Sequence, residues 1–305
     1  MSEPPVGVKH DYPLARLTTI RTGGPAEMFA RAGSLGGLER LIAWADAEGL
    51  EVGVVGSGSN LLVADTGVRG LVVKLDQDLA KIELEGTRIE CGGGARLPAV
   101  AARAAQAGLT GIEFGVNIPG TVGGAVRMNA NAYGGELARV LDWVDVVTPS
   151  GTDRRGPDDL GFAYRRSGLG QREIVARASF ALQPAPTERV KATLAEMRSQ
   201  RKAAQPSGIK TFGSTFKNPD DPRVEGRTAG QLLEAAGCRG LRIGGASFSA
   251  KHANFIENHG EATTADVVAL MAEGRRRVRE RFGVELEPEV QALGPVELPW
   301  GLPGQ

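Results

Sequence analysis

The 305-residue sequence predicts an α+β fold in two parts, and three observations carry that expectation. Two glycine-rich loops, Gly56-Ser57-Gly58-Ser59-Asn60 and Ile118 to Val126, lie among short apolar segments of strand composition. Helical periodicity appears at Ser34 to Gly49, Pro98 to Gly108 and Thr264 to Phe282. A proline-spaced seam, Gln183-Pro184-Ala185-Pro186, separates a glycine-rich first part from a smaller mixed second part.

Residues 1–15, with Pro4, Pro5 and Pro13, read as an irregular arm. Ser34 to Gly49 then sets Leu38, Leu41, Ile42 and Ala45 on one helical face, with Gly49 as the stop. Val52 to Val55 reads as a short buried strand that feeds the Gly56 loop, and strands follow at Leu71 to Lys74 and across Ile82 to Glu90. Pro98 to Gly108 is an alanine-rich helix with proline at its start and glycine at its end. Trp143 to Thr148 and Ile174 to Leu182 carry strand composition. Beyond the seam a helix begins at Thr187, with Val190, Leu194 and Met197 on one face. A second helix runs from Thr228 to Ala236, and Ala253 to Ile256 reads as a strand. Thr264 is expected to cap the last helix and Gly283 to end it. The expected partition is an arm (1–15), a first domain (16–183, lobes of about 16–75 and 76–183), a second domain (184–294) and a loose tail (295–305).

Composition bounds the function class. Hydrophobic content of 41% and charged content of 24% are those of a soluble globular chain. Acidic and basic residues balance at 36 each, so no global field draws nucleic acid or an anionic membrane. Cys91 and Cys238 stand far apart in no ligand-like spacing, which implies a reducing compartment without disulfides or zinc. Three histidines, His10, His252 and His259, leave little scope for a metal centre. The N-terminus lacks a basic start and apolar core, and no apolar run reaches membrane-spanning length. A cytoplasmic protein without a bound metal is expected.

A loop with several backbone N–H groups free to point one way suits a phosphate, and two such loops imply a diphosphate ligand. Glycine equally serves ordinary turns and helix ends, so the residues alone leave both roles open. The dinucleotide fingerprint fails because Leu61 occupies its third glycine position, and no G-x-x-x-x-G-K-[ST] is present. A nucleotide site here is therefore neither of the Rossmann nor of the Walker type.

Eight segments resemble, in order, the UDP-N-acetylenolpyruvoylglucosamine reductase (UDP-N-acetylmuramate dehydrogenase) family. They are T-T-I-R-T-G-G (18–24), G-S-G-S-N-L-L (56–62), I-P-G-T-V-G-G-A-V (118–126) and M-N-A-N-A-Y-G-G-E (128–136). Y-R-R-S (164–167), G-S-T-F-K-N-P (213–219), K-H-A-N-F-I (251–256) and L-E-P-E-V (286–290) complete the set. The short stretch from Tyr164 to Ser214 resembles the shorter subtype, which lacks the tyrosine-bearing lid loop. Phe114 to Asn117, Arg127 and Asn131 depart from the commoner wording, in ways that touch loop packing.

The resemblance implies an FAD domain of the vanillyl-alcohol oxidase and p-cresol methylhydroxylase type over 16–183, and a smaller α+β substrate domain. It implies non-covalent FAD, held at its diphosphate by Gly56, Ser57, Gly58, Ser59 and Asn60 and by Asn117, Pro119, Gly120, Thr121, Gly123 and Gly124, with Thr22 and Gly23 nearby. No histidine lies between His10 and His252 to attach it. The implied reaction reduces the enolpyruvyl ether of a UDP-linked amino sugar to a lactyl ether for peptidoglycan precursors. NADPH supplies the reducing equivalents through the flavin, and hydride reaches the vinyl carbon. Arg165 matches the arginine that holds the substrate carboxylate, Ser214 the proton donor, and Glu289 the glutamate that acts with the arginine. Tyr164, Lys217 and Asn218, and more weakly Lys251 and Asn254, match the substrate surface, with small molecules as the partners. Another flavin oxidoreductase or oxidase on the same scaffold is the alternative.

Overall fold

A computed structural model describes residues 2–300. The chain falls into two compact units. Unit 1 comprises Met1–Tyr12, Glu27–Ser57 and Arg69–Arg201; unit 2 comprises Pro13–Ala26, Gly58–Val68 and Lys202–Gln305. The division differs from the expected seam at 183–186: the helix after that seam belongs to unit 1, and two early segments belong to unit 2. Six α-helices occur among the described residues: α1 Leu35–Ala47, α2 Leu97–Gln106, α3 Val122–Arg127, α4 Thr187–Ala204, α5 Ala229–Ala235 and α6 Thr264–Phe282. None is long and apolar enough to cross a membrane.

Unit 1 is built on two sheets. Its four-stranded sheet has the order Lys9–Pro13, Pro25–Ala32, Val68–Leu75, Val52–Val54, with the last pair parallel. Its five-stranded antiparallel sheet has the order Gly151–Arg155, Leu141–Thr148, Ile174–Ala181, Arg88–Gly92, Ile82–Glu85. Strand alternation, shifted by a bulge that leaves Ala176 unpaired against Leu141–Thr148, splits this second sheet between two cores. Val147, Ile174 and Ala176 pack with α1, whereas Val144, Val146, Val175 and Ala178 pack with α2 and α3. Ser34 starts α1 by accepting the Gly37 N–H at 3.2 Å. The arm expected at 1–15 is strand from Lys9: Tyr12 stacks on Phe29 at 4.0 Å, and Pro13 is tolerated at the end of an edge strand.

Unit 2 carries an antiparallel sheet ordered Lys210–Thr211, Ile256–Asn258, Ala246–Phe248, Arg242–Ile243. A separate parallel pair joins Leu61–Val63 to Gln291–Leu293. The strand expected over Ala253 to Ile256 begins only at Ile256, because the Asn254 side chain binds the Phe216 peptide instead of leaving a strand edge. Thr263, not Thr264, caps α6: its hydroxyl accepts the Asp266 N–H at 3.0 Å, while Asp266 returns to the Thr263 N–H. The Thr264 hydroxyl donates to Val63 O at 2.6 Å. The tail expected to be loose is packed as far as it is described. Val296, Leu298 and Trp300 lie against the unit 2 core, with Arg275 over the Trp300 ring at 4.6 Å. Residues 301–305 lie outside the described residues.

Candidate active site

In unit 1, the strand Val52–Val54 delivers Gly56 and Ser57 against the second loop. Ser57 Oγ donates to Pro119 O at 2.5 Å. A Cβ on Gly56 would land on Thr121 Oγ1, so only glycine permits this approach. The N–H groups of Val122 and Gly123 are committed to Ala95 O and Gly93 O, both at 2.8 Å. Gly120 O accepts from Leu97, whereas the Gly120 and Thr121 N–H groups meet no backbone carbonyl among the described residues. These two amides, beside the close approach that Gly56 permits, fit an anionic diphosphate. Gly123 tethers the loop to Gly93, and its N–H is not free for a ligand.

Lys74 lies beneath this loop and escaped the sequence reading. Its ammonium donates to Gly56 O, and burial chiefly, then Arg31 and Arg96, push its pKa below the usual lysine value. A lone lysine in an apolar strand, Leu71-Val72-Val73-Lys74-Leu75, was the available signal.

Arg165 sits at the tip of a two-residue turn closed by reciprocal bonds between Ala163 and Arg166, at 2.9 and 3.1 Å. Its φ is +55°, a left-handed conformation that costs a bulky residue of order 1–3 kcal/mol. The guanidinium donates to Asn131 O at 3.1 Å and lies 5.6 Å from the ring of Tyr164, which is 48% exposed. Asn129 supports the turn from below, donating to Ala163 O at 3.2 Å.

In unit 2, Ser214 lies between Phe212 and Phe216, both fully buried, which fix the segment like two pegs. Ser214 itself is half-buried, and its hydroxyl makes no hydrogen bond among the described residues. The neighbouring peptides are clamped: Gly213 N–H donates to Ser59 O at 2.9 Å, and Thr215 N–H to Asn254 O at 2.8 Å. Glu289 is brought to this segment by its N–H, which donates to Thr215 O at 2.9 Å. Asn60 closes the group, with its amide donating to Glu289 O at 3.1 Å and its carbonyl accepting Gln291 N–H at 3.0 Å. Gly58 allows the loop to enter: its φ is +65°, and a Cβ would strike Leu17 O. The peptides on either side of Ser214, with Glu289, Ser59 and Asn60, thus form one hydrogen-bonded assembly within unit 2.

The remaining expected residues divide by what they touch. Lys217 reaches the Glu287 carboxylate at 3.2 Å, and Asn218 Oδ1 accepts the Ala229 N–H at 3.0 Å. The Lys251 ammonium donates to Lys202 O at 2.7 Å. Asn254 is buried, and both ends of its amide bind the Phe216 peptide, at 3.0 and 2.8 Å. Thr22 is buried against the Thr264 hydroxyl at 3.1 Å, and Gly23 is packed on Val63. The Asn117 amide donates to Tyr133 Oη at 3.0 Å and Met197 O at 2.7 Å. Asn254, Thr22, Gly23 and the Asn117 side chain are therefore engaged in holding the fold.

Two family models match the chain. One, described as the C-terminal domain of UDP-N-acetylenolpyruvoylglucosamine reductase, covers residues 205–293; the other, an FAD binding domain, covers 26–155. UDP-N-acetylenolpyruvoylglucosamine reductase 2 of Symbiobacterium thermophilum is 43% identical over 97% of this chain and 94% of its own length. The enzyme of that name from Acidiphilium cryptum is 45% identical over 93% of this chain and 90% of its own. The crystal structure of the Thermus caldophilus reductase superposes with a TM-score of 0.81 at 37% identity, covering 94% of this chain and 98% of that one.

Proposed function

As the chain belongs to the UDP-N-acetylenolpyruvoylglucosamine reductase family, we propose that it reduces the enolpyruvyl ether of UDP-N-acetylglucosamine enolpyruvate, giving UDP-N-acetylmuramate for peptidoglycan precursors. It is an FAD-dependent oxidoreductase, with NADPH as the proposed co-substrate and the cytoplasm as its proposed location. Gly120 and Thr121, and Gly58 to Asn60, are the residues proposed to hold FAD. When bound, FAD supplies the hydride.

The chain's own residues have three tasks. Arg165 meets the substrate carboxylate, where a planar, permanently charged fork pairs with both oxygens as negative charge grows. Ser214 donates its hydroxyl proton to the carbon next to that carboxylate. Serine is a weak acid, and the step proceeds because a carbon with carbanion character is a far stronger base than the alkoxide left behind. Glu289 acts on the same carboxylate, and Tyr164, Lys217 and Asn218 contact the UDP-sugar.

The observation that carries this assignment is the unit 2 assembly, in which the Ser214 segment is hydrogen-bonded to Glu289 and to Ser59. An anaerobic experiment tests it. The FAD-loaded protein is bleached with NADPH, and the enolpyruvyl UDP-sugar is then added. Return of the oxidised flavin spectrum with formation of UDP-N-acetylmuramate is expected. No reoxidation, or reoxidation only by oxygen with hydrogen peroxide formed, overturns the proposal.

A further inference from the structure

Arg127, the last residue of α3, is half-buried against the segment that follows Arg165. Its guanidinium donates to Leu169 O at 3.2 Å, Gly170 O at 3.0 Å and Glu173 O at 2.5 Å. Its own carbonyl accepts the Ser167 hydroxyl at 2.9 Å, two residues from Arg165. Burial lowers its pKa while the Glu173 charge opposes that shift. The Glu173 carboxylate is bound in turn by Arg155 and by the Gly170 N–H, both at 2.7 Å.

Arg165 occupies an unfavourable left-handed backbone conformation. Such a conformation persists only where the surroundings over-determine it. Arg127 supplies that constraint on the downstream side of the turn. A planar guanidinium offers five donors in a fixed fork and can satisfy three carbonyls at once; a lysine in its place has one point charge. The same residue begins four positions after Gly123, so the glycine loop and the Arg165 turn share one rigid connection.

We propose that Arg127 is a positioning residue for Arg165, locking the turn that presents the Arg165 guanidinium to the substrate carboxylate. The proposal rests on the assignment of Arg165 to that carboxylate. It predicts a selective defect. Loss of the clamp slows the step that uses the enolpyruvyl substrate, because a small misplacement of a positioning group costs far more in reaction than in folding.

The two half-reactions are measured separately by stopped flow on FAD-loaded Arg127→Met, Arg127→Lys and Arg165→Met. Hydrogen exchange of the peptide spanning 160–170 is recorded alongside. Arg127→Met is expected to slow flavin reoxidation by the enolpyruvyl UDP-sugar about tenfold. Flavin reduction by NADPH is expected to stay within about twofold, exchange of the 160–170 peptide to rise, and Arg127→Lys to recover part of both losses. If Arg165→Met abolishes reoxidation while Arg127→Met leaves it and the exchange unchanged, Arg127 has no positioning role. Equal slowing of both half-reactions by Arg127→Met also overturns it. If Arg165→Met leaves reoxidation intact, the Arg165 assignment itself is wrong. Should Arg127→Met not accumulate folded, Arg127→Lys and Ser167→Ala carry the test by the same criteria.

Discussion

The Glu289 N–H donates to the Thr215 carbonyl at 2.9 Å, which sets the register between the two chain segments that carry the proposed proton donor and the proposed glutamate. Thr215 is fully buried, and its hydroxyl has no hydrogen-bond partner among the described residues, whereas Ser214 is half-buried. The two neighbours differ in exposure, and only Ser214 is open to solvent. Ser214→Ala is therefore expected to slow flavin reoxidation by substrate at least about 100-fold, the usual scale for a lost general acid. Thr215→Val removes an unsatisfied buried hydroxyl at constant shape, and is expected to keep activity and gain up to about 1 kcal/mol in urea unfolding. A fall in turnover for Thr215→Val with none for Ser214→Ala would reassign the proton.

The two glycine loops give a steric contrast. Gly56→Ala drives a methyl group into Thr121 Oγ1, while a Cβ on Gly120 meets only Ile118 Cγ2 at 3.8 Å. Overpacking of that kind costs about 1–3 kcal/mol. The absorbance ratio of flavin to protein after dialysis should fall for Gly56→Ala and hold for Gly120→Ala. Equal retention by both variants would show that the close approach is not needed.

Acid should weaken the clamp around Glu173. Hydrogen bonding from Arg155, foremost, and from the Gly170 N–H holds its pKa below the usual carboxylate value, against the effect of burial. A depressed folded pKa means stability that is present above the unfolded pKa, about 4.3, and lost as pH falls through the folded one. Thermal melts of the parent against Glu173→Gln should differ at neutral pH and converge as pH falls below the unfolded pKa and through the folded one. A difference that persists unchanged into acid would rule out the ionised carboxylate as its source.

Both thiols should be silent in the native protein. Burial raises the Cys91 pKa far above the thiol range and that of Cys238 to about 11, and the thiolate is the reactive form. Iodoacetamide at pH 8 should label neither before denaturation and both after it, as mass spectrometry would read. Acid precipitation should leave yellow FAD in the supernatant; flavin retained in the pellet would indicate a covalent link.

Helices with a clear apolar face and a stop, such as α1 and α6, were legible because period and caps are local. α3 was not: Val122-Gly123-Gly124-Ala125-Val126-Arg127 has poor helix propensity, and burial of Val122, Ala125 and Val126 compensates. The strand Pro25–Ala32 was missed because alanine and glutamate interrupt its alternation. Motif resemblance singled out Ser214 and Glu289, yet the bond that sets their register depends on pairing between distant segments. Arg127 read only as a departure from family wording, since its carbonyl partners lie 42 to 46 residues away.

The parallel pair of Leu61–Val63 with Gln291–Leu293 has a consequence for biogenesis. Asn60 and Glu289 are 229 positions apart, so a nascent chain emerging from the ribosome holds the Gly58 to Asn60 loop for most of synthesis without its partner. Unit 2 can close only after nearly the whole chain has been made, and high-affinity flavin uptake should be a late event. Ribosome-stalled chains ending at residue 285 should retain little FAD, and chains extended past 300 by a linker should retain it fully.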